Sequence, residues 1–499
     1  MSRLINPERQ FTVMRPVLLV VMDGVGLREE TEGNAFKQAD TPNLGRIMAR
    51  NGFAKLEASG PAVGLPEGYT GNSEVGHLHL GAGRRIDQRL KRINQAIEKN
   101  QLEEKQTLKK SLERAEKNNS TVHFAGIISD GGIHGHIDHL KALMEITSDY
   151  DVKIKIHCFT DGRDVSPKSA ESFISQIEGW TEKYGGEIAT VMGRYYSMDR
   201  DHNWGRTEKA YRAMADGDGF EFSDPREALE ETYEEDDYDY FTVPGVRQDY
   251  QGMENDDELI FYNFRADRER QIVRALLDVD FDEFENSVQP NFISMFRYHH
   301  DFENPVLFEK NIVENTLGEK IEDAGMSQLR VAESQKRPHV TFFFNGQREL
   351  EFEHEERHFV ESDKIKAYDQ KPEMHADETT DTVLNALEEQ DKDFILLNYA
   401  NSDLVGHTGE LDAAIEAVET VDRNIGRLVE KVKDTDYVML VTADHGNCED
   451  MGTEESPNTS HTLNPVPLVG VNTEESFSDG EIWDTEKIVE GFLGINQEQ

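Results

Sequence analysis

The chain has 499 residues, with 53 Lys+Arg against 99 Asp+Glu and a formal net charge of −46. An excess of that size excludes a protein that grips nucleic acid or an anionic membrane through a basic face. Hydrophobic residues at 36%, in runs spread along the chain, exclude wholesale disorder.

The length suits two or three domains. The surplus carboxylates are expected on a solvated surface, and a high-salt cytoplasm, where ions screen self-repulsion, is the natural setting. The two cysteines, Cys158 and Cys448, make no disulfide framework and point to a reducing compartment. The apolar run at 16–22, PVLLVVM, is too short to span a bilayer and lacks a signal-peptide cleavage pattern. A soluble cytoplasmic protein is expected.

In chain order, Val17–Met22 reads as a parallel strand buried on both faces. Thr41-Pro42 then opens a helix, with Thr at the N-cap and Pro at the first position. Further strands are predicted at Val122–Ile128, Val152–Phe159, Ile188–Met192, Leu259–Phe264, Val340–Phe344, Phe394–Asn398, Tyr437–Thr442 and Val466–Val471. Helices are predicted at Ile137–Ile146, Ser169–Trp180, Thr207–Ala215, Ala376–Leu387 and Leu411–Val432. This alternation predicts an α/β protein of mostly parallel sheet with helices on both faces. The acidic stretch Glu227–Tyr240 reads as a surface helix end and loop. Polar segments near Arg84–Arg92 and His299–Asn304 are candidate linkers, which would make the middle of the chain an insertion into a domain built from both ends.

Ligand-type side chains gather at strand ends, where open α/β sheets collect ligands. Asp23 follows VLLVVM, Asp403 and His407 follow FILLNYA, Asp444-His445 follows YVMLVTA, and His461 precedes the last strand. Each alone reads as a cap or a satisfied turn. Together they supply oxygen and nitrogen for two divalent ions, which at about 4 Å apart can hold the attacking and leaving oxygens of a phosphoryl displacement. Ser73 in GNSEVGH, flanked by glycines, is the candidate nucleophile, or an ordinary helix cap.

The middle of the chain sets arginines in strand-end loops: Arg163 with Asp164, Arg194 and Arg200, Arg265 and Arg268, with His134 in SDGGIHGH. Each guanidinium could simply pair with a nearby acid. As a set they suit a small anion held by several forks. Lys336 is a further candidate phosphate contact.

The stretches DGVG at 23–26, EASGPAVGLPEGYTGNSEVGH at 57–77, SDGGIHGHIDHL at 129–140, DGRDVSPKSA at 161–170, GRYYSMDRD at 193–201, NFRADRERQI at 263–272, NSDLVGHTG at 401–409, TADHGNCE at 442–449 and HTLNPVP at 461–467 closely resemble cofactor-independent phosphoglycerate mutases. The metal motifs alone would indicate only the alkaline-phosphatase superfamily. The serine loop and the arginine set narrow the resemblance.

The resemblance implies an alkaline-phosphatase-like metal domain, at 1–85 and 308–499, carrying an inserted α/β substrate domain at 88–305. It implies interconversion of 3-phosphoglycerate and 2-phosphoglycerate by a monomer with two Mn²⁺ or comparable ions. One ion would lie on Asp403, His407 and His461, and the other on Asp23, Ser73, Asp444 and His445. Ser73 would carry the phosphoryl group, and Asp164 would shuttle the proton. His134, Arg163, Asp164, Arg194, Arg200, Arg265, Arg268 and Lys336 would hold substrate. Val25, Thr70 and Leu463 depart from residues common in the family, and none is an implied ligand.

Overall fold

The computed structural model describes residues 14–453 and 455–495. Two compact units divide the chain, one of Met1–Gln88 with Ile312–Gln499 and the other of Arg89–Asn311.

The first unit is built on an eight-stranded sheet. Val17–Met22 lies between Phe394–Tyr399 and Val438–Thr442, parallel to both, so that Met22 stands beside Tyr399 and Val21 beside Thr442. Gln328–Glu333 and Glu355–Val360 extend the sheet in parallel on one side. On the other side Val466–Val471 runs antiparallel. In the four strands from Phe394–Tyr399 through Val466–Val471 every side chain is buried. Successive side chains point to opposite faces, so uninterrupted burial means that both faces are covered.

The second unit has a seven-stranded sheet, with Lys153–Thr160 between Thr121–Ile127 and Glu187–Gly193. Glu258–Phe261 pairs in parallel with Thr121–Ile127, whereas Gly245–Arg247 runs antiparallel to Glu187–Gly193 and carries Phe220–Phe222 parallel to itself at the edge. Among the described residues no helix is long and apolar enough to cross a membrane.

Four sequence expectations need correction. Val340–Phe344 is no strand: His339–Phe343 forms a helical turn. A five-residue apolar run has no period that separates a buried strand from a buried helix, and Pro338 before it suits a helix start. The strand there is instead Gln328–Glu333, QLRVAE, whose polar Gln328, Arg330 and Glu333 are buried. The strand expected to reach Phe264 ends at Phe261, and Asn263 just beyond it is fully buried, its side chain bonded to Ile127 N–H and to Glu269. The acidic stretch is exposed or half-buried over most of its length, but Asp239 is fully buried. Its Oδ2 accepts from the backbone N–H of Ser169 (2.7 Å) and Ala170 (2.8 Å) and so caps the helix Ala170–Tyr184.

A distant carboxylate also caps the helix Pro42–Asn51. Thr41 makes no side-chain cap; Asp422, in the helix Leu411–Val432, accepts from the N–H of Asn43 and Leu44.

Candidate active site

Sheet topology brings the first group of candidates to one edge. Asp23, Asp403 and Asp444 each follow the C-terminal end of one of three adjacent parallel strands. Val466–Val471 is antiparallel, so the loop that enters it, with His461, starts from that same edge. Ser73 is the first residue of the helix Ser73–Ala82. Asn72 is its cap, accepting from Val75 N–H at 2.9 Å, which leaves the serine hydroxyl free for other work.

Two glycines allow the close approach. Gly24 has φ +77°, and a Cβ there would lie 2.7 Å from Asp403 Cα. A Cβ on Gly76 would lie 2.4 Å from the Asp444 carbonyl oxygen. Gly76→Ala is expected to destabilise the fold by ~1–3 kcal/mol, since backbone must move to admit a methyl. Thermal unfolding checks this, and an unchanged midpoint would contradict the tight contact.

Ser73 Oγ lies 3.0 Å from Asp23 Oδ1 and 3.0 Å from His445 Nε2. Lys336 donates to Ser73 Oγ (2.9 Å), Asp23 Oδ1 (2.7 Å) and Asp403 Oδ2 (2.7 Å). All five groups are buried. Burial acts to raise Asp23 and Asp403, yet the Lys336 ammonium holds both carboxyls well below the usual range. Burial acts to lower Lys336, and Asp23 and Asp403 hold it above its ordinary value.

One ammonium cannot balance three buried carboxylates. Burial opposes charge on His445 as well, but Asp444, Asp23 and Asp403 together lift it to about 10. A field that draws a proton that strongly draws a metal cation too. Asp444 Oδ2 is buried without a hydrogen-bond partner.

The donor set at Asp403, His407 and His461 fits a cation directly. Nε2 of His407 and of His461 lie 3.2 and 3.3 Å from Asp403 Oδ1 and 3.1 Å from each other. Their Nδ1 atoms face the backbone carbonyls of Thr459 (2.7 Å) and Gly71 (2.9 Å), which can only accept. Each neutral imidazole therefore carries its hydrogen on Nδ1 and turns a lone pair inward, the outer-shell arrangement of metal-bound histidine. Ligands about 2.1 Å from one ion lie roughly 3.0–3.4 Å apart, the spacing found here. The residues present fit divalent metal.

In the second unit the same strand-end logic holds. Asp161 and Asp164 follow Lys153–Thr160, and Arg194 follows Glu187–Gly193. Buried Arg194 donates through one nitrogen to Asp161 Oδ1 and Asp164 Oδ2, both at 2.6 Å. Asp267 accepts from Arg200 (3.0 Å) and faces Arg265 Nε (2.8 Å). Arg268 reaches the Met198 carbonyl at 3.3 Å. Local acids thus do pair with Arg194, Arg200 and Arg265, but they do not exhaust the positive field. Arg268 is pushed below its ordinary value by burial and then by Arg194 and Arg200, with Arg163 adding to the repulsion. Exposed Arg163, Arg200 and Arg265 keep donors open to solvent. Such a cluster suits an anion bearing both carboxylate and phosphate. His134 is buried, with Nε2 3.9 Å from Asp164 Oδ2, and burial followed by Arg194 push it down to about 2.

Several residues of these sites were not singled out from the sequence. His77 stands one helical turn after Ser73, and that i, i+4 spacing is a readable signal. Its Nδ1 lies 2.9 Å from the Ser73 carbonyl oxygen and 3.2 Å from Asp444 Oδ2. Asn398 spends its side-chain N–H groups on Asp23 Oδ2 (2.7 Å) and His77 Nε2 (3.1 Å). Glu449 ties the metal-side loops together, accepting from the N–H of Gly26 and Asn447 and from Asn464.

Glu269 is fully buried beside the arginines, and burial, then Asp267, raise it to about 8. The folded state therefore keeps this proton while the unfolded chain loses it. Stability is greatest below the ordinary value of 4.5 and falls as pH rises from there through about 8. Glu269→Gln is expected to remove that fall, a gain at pH 8 on the order of a few kcal/mol. Denaturant unfolding of both proteins between pH 5 and pH 9 measures it, and parallel profiles would contradict the burial argument.

Comparison with known proteins agrees with this chemistry. A family description, the Metalloenzyme superfamily, matches residues 15–490. The chain is 45% identical over 498 residues to the 2,3-bisphosphoglycerate-independent phosphoglycerate mutase of Moorella thermoacetica, covering 97% of each chain. It is 45% identical to the enzyme of the same name from Clostridium botulinum, covering 92% of each. A crystal structure of Leishmania mexicana phosphoglycerate mutase, obtained at low cobalt concentration, superposes with TM-score 0.74 and 31% identity, over 98% of this chain and 97% of that one. With strand-end carboxylates and imidazoles fitted to divalent metal and a family likeness running nearly end to end, the chain belongs to the 2,3-bisphosphoglycerate-independent phosphoglycerate mutases of the metalloenzyme superfamily, isomerases that interconvert phosphoglycerates.

Proposed function

We propose that the chain interconverts 3-phosphoglycerate and 2-phosphoglycerate through a phosphorylated Ser73, as a cytoplasmic monomer holding two Mn²⁺ or comparable ions and needing no 2,3-bisphosphoglycerate. The observation that carries this reading is the Ser73 hydroxyl, set within 3.0 Å of Asp23, Lys336 and His445 at once. Asp403, His407 and His461 would hold one ion; Asp23, Ser73, Asp444 and His445 would hold the other. When bound, the ions lower the hydroxyl pKa of Ser73 and offset charge on the transferring phosphoryl group.

The chain's own residues do the rest. Ser73 Oγ forms the new bond to phosphorus as the bond from phosphorus to the substrate oxygen breaks, and Asp23 Oδ1 lies where the hydroxyl proton departs. Lys336 donates to the serine oxygen and, in the transfer, to a phosphoryl oxygen. Asp164 protonates the departing glycerate oxygen, then accepts the proton of the other hydroxyl as that oxygen takes the phosphoryl group back and Ser73 is restored. Arg163, Arg194, Arg200, Arg265, Arg268 and His134 hold the glycerate meanwhile, because its escape would leave water to finish the reaction.

A coupled enolase assay tests the reading, using metal-stripped protein with Mn²⁺ added back and bisphosphoglycerate absent. Isomer formation supports it; release of inorganic phosphate alone would make the protein a phosphatase. Arg265→Ala is expected to raise KM for 3-phosphoglycerate roughly 10-fold or more through loss of a charge-assisted contact. Bound metal should be unchanged in that variant, and its loss would contradict the assignment.

A further inference from the structure

Glu269 is a buried titratable group that this mechanism does not use. Its Oε1 accepts from Asn263 Nδ2 at 2.9 Å and its Oε2 from Arg268 N–H at 3.2 Å. Asn263 is itself pinned, because its Oδ1 accepts from Ile127 N–H at 2.9 Å. Gly126 and Gly135 make room for that oxygen: a Cβ on either would lie within 2.8 Å of it. The carboxyl is thereby held in one orientation from the strand Thr121–Ile127 outward.

That orientation matters to His134. The imidazole is 4% exposed, and its Nδ1 is buried without a hydrogen-bond partner. Glu269 Oε1 stands 3.7 Å from that nitrogen and Asp267 Oδ1 stands 4.0 Å from it, slightly beyond hydrogen-bond length. Contacts of this kind commonly tighten once substrate binds. The other ring nitrogen, Nε2, faces Asp164 Oδ2. Protonated Glu269 still offers its carbonyl oxygen Oε1 as an acceptor on the Nδ1 side, beside the Asp267 carboxylate. On the Nε2 side Asp164 Oδ2 is already taken by Arg194 at 2.6 Å. This favours the imidazole with its hydrogen on Nδ1 and its Nε2 lone pair outward.

We propose that Glu269 is a positioning residue for the mutase reaction: held by Asn263, it selects the Nδ1–H form of His134, so that Nε2 accepts a hydrogen from a glycerate hydroxyl beside Asp164. This rests on the substrate-holding role given to His134 and Asp164 above. Within the second unit the titratable and charged groups around Glu269 are His134, Asp267, Arg268 and Tyr298, with Arg89 acting on Tyr298.

Glu269→Gln and Glu269→Leu separate this role from a structural one. Gln keeps an oxygen for Asn263 at the place of Oε1, so it is expected to retain the parent kcat and the parent His134 imidazole ¹⁵N resonances. Leu is expected to lose at least ~10-fold in kcat with KM little changed, as when a histidine's tautomer is no longer held. Its His134 resonances should move toward a mixture of forms.

Three results would overturn the proposal. One is an Nε2–H form in the parent protein, which needs no variant to fold. The others are a Leu variant with parent kcat and resonances, or a Gln variant as impaired as the Leu variant. His134→Ala with full turnover would instead defeat the substrate-holding role itself. The ¹⁵N measurement on parent and Gln variant tells the two failures apart.

Discussion

Ser73→Ala is expected to lower kcat for phosphoglycerate interconversion at least ~10⁴-fold, the scale seen when a nucleophile is removed from a hydrogen-bonded set that acts as a unit. The hydroxyl has no substitute among its neighbours. Asp23 and His445 are fully buried, and Lys336 is tied to two carboxylates, so none is free to carry a phosphoryl group in its place. The helix should survive, because its cap is Asn72 rather than Ser73. Circular dichroism and thermal unfolding should match the parent, which makes the kinetic result interpretable. Parent protein quenched during turnover should carry phosphate on Ser73, detectable by mass spectrometry. Turnover retained by the alanine variant would refute the phosphoserine route.

Removal of metal is expected to have an effect of similar size. Three buried carboxylates share one buried ammonium, so stripping divalent ions leaves Asp23, Asp403 and Asp444 repelling one another around Ser73. Chelator-treated protein should lose at least ~10³-fold in kcat, the rate equivalent of several kcal/mol of charge stabilisation. Mn²⁺ should restore it. Elemental analysis of the restored protein should give two ions per chain, and His407→Ala should give one. The ions bind the folded state, so their return should also raise the unfolding midpoint, by the equivalent of ~3 kcal/mol at a hundredfold excess over Kd. Metal-free protein with full turnover would remove the ions from the mechanism.

Much of this site could be read from the chain because strand ends advertise themselves. VLLVVM, FILLNYA and YVMLVTA are apolar runs closed abruptly by polar residues, and the ligand types stand at or just past the break. The places where reading failed share a cause. VTFFF and QLRVAE differ in hydrophobicity in the opposite sense to their structures, because burial of Gln328, Arg330 and Glu333 is decided by neighbours far along the chain. Asp239 lies in a stretch whose charge reads as surface and Asp422 inside a long helix, yet each caps a helix that lies elsewhere in sequence. Asn398 and Glu269 gave no isolated signal, since their roles consist entirely of what they touch.

From its order of residues alone the chain determined an α/β alternation, an acidic solvated character, the kinds of ligand available and the family they resemble. Only the tertiary structure decided which of those groups share a field. Ser73 meets partners 50, 263 and 372 positions away in Asp23, Lys336 and His445. The reason is physical: local pattern reports burial and turn geometry, whereas the protonation of an imidazole or the readiness of a hydroxyl depends on charges within a few ångströms, and parallel strands bring those from remote parts of the sequence.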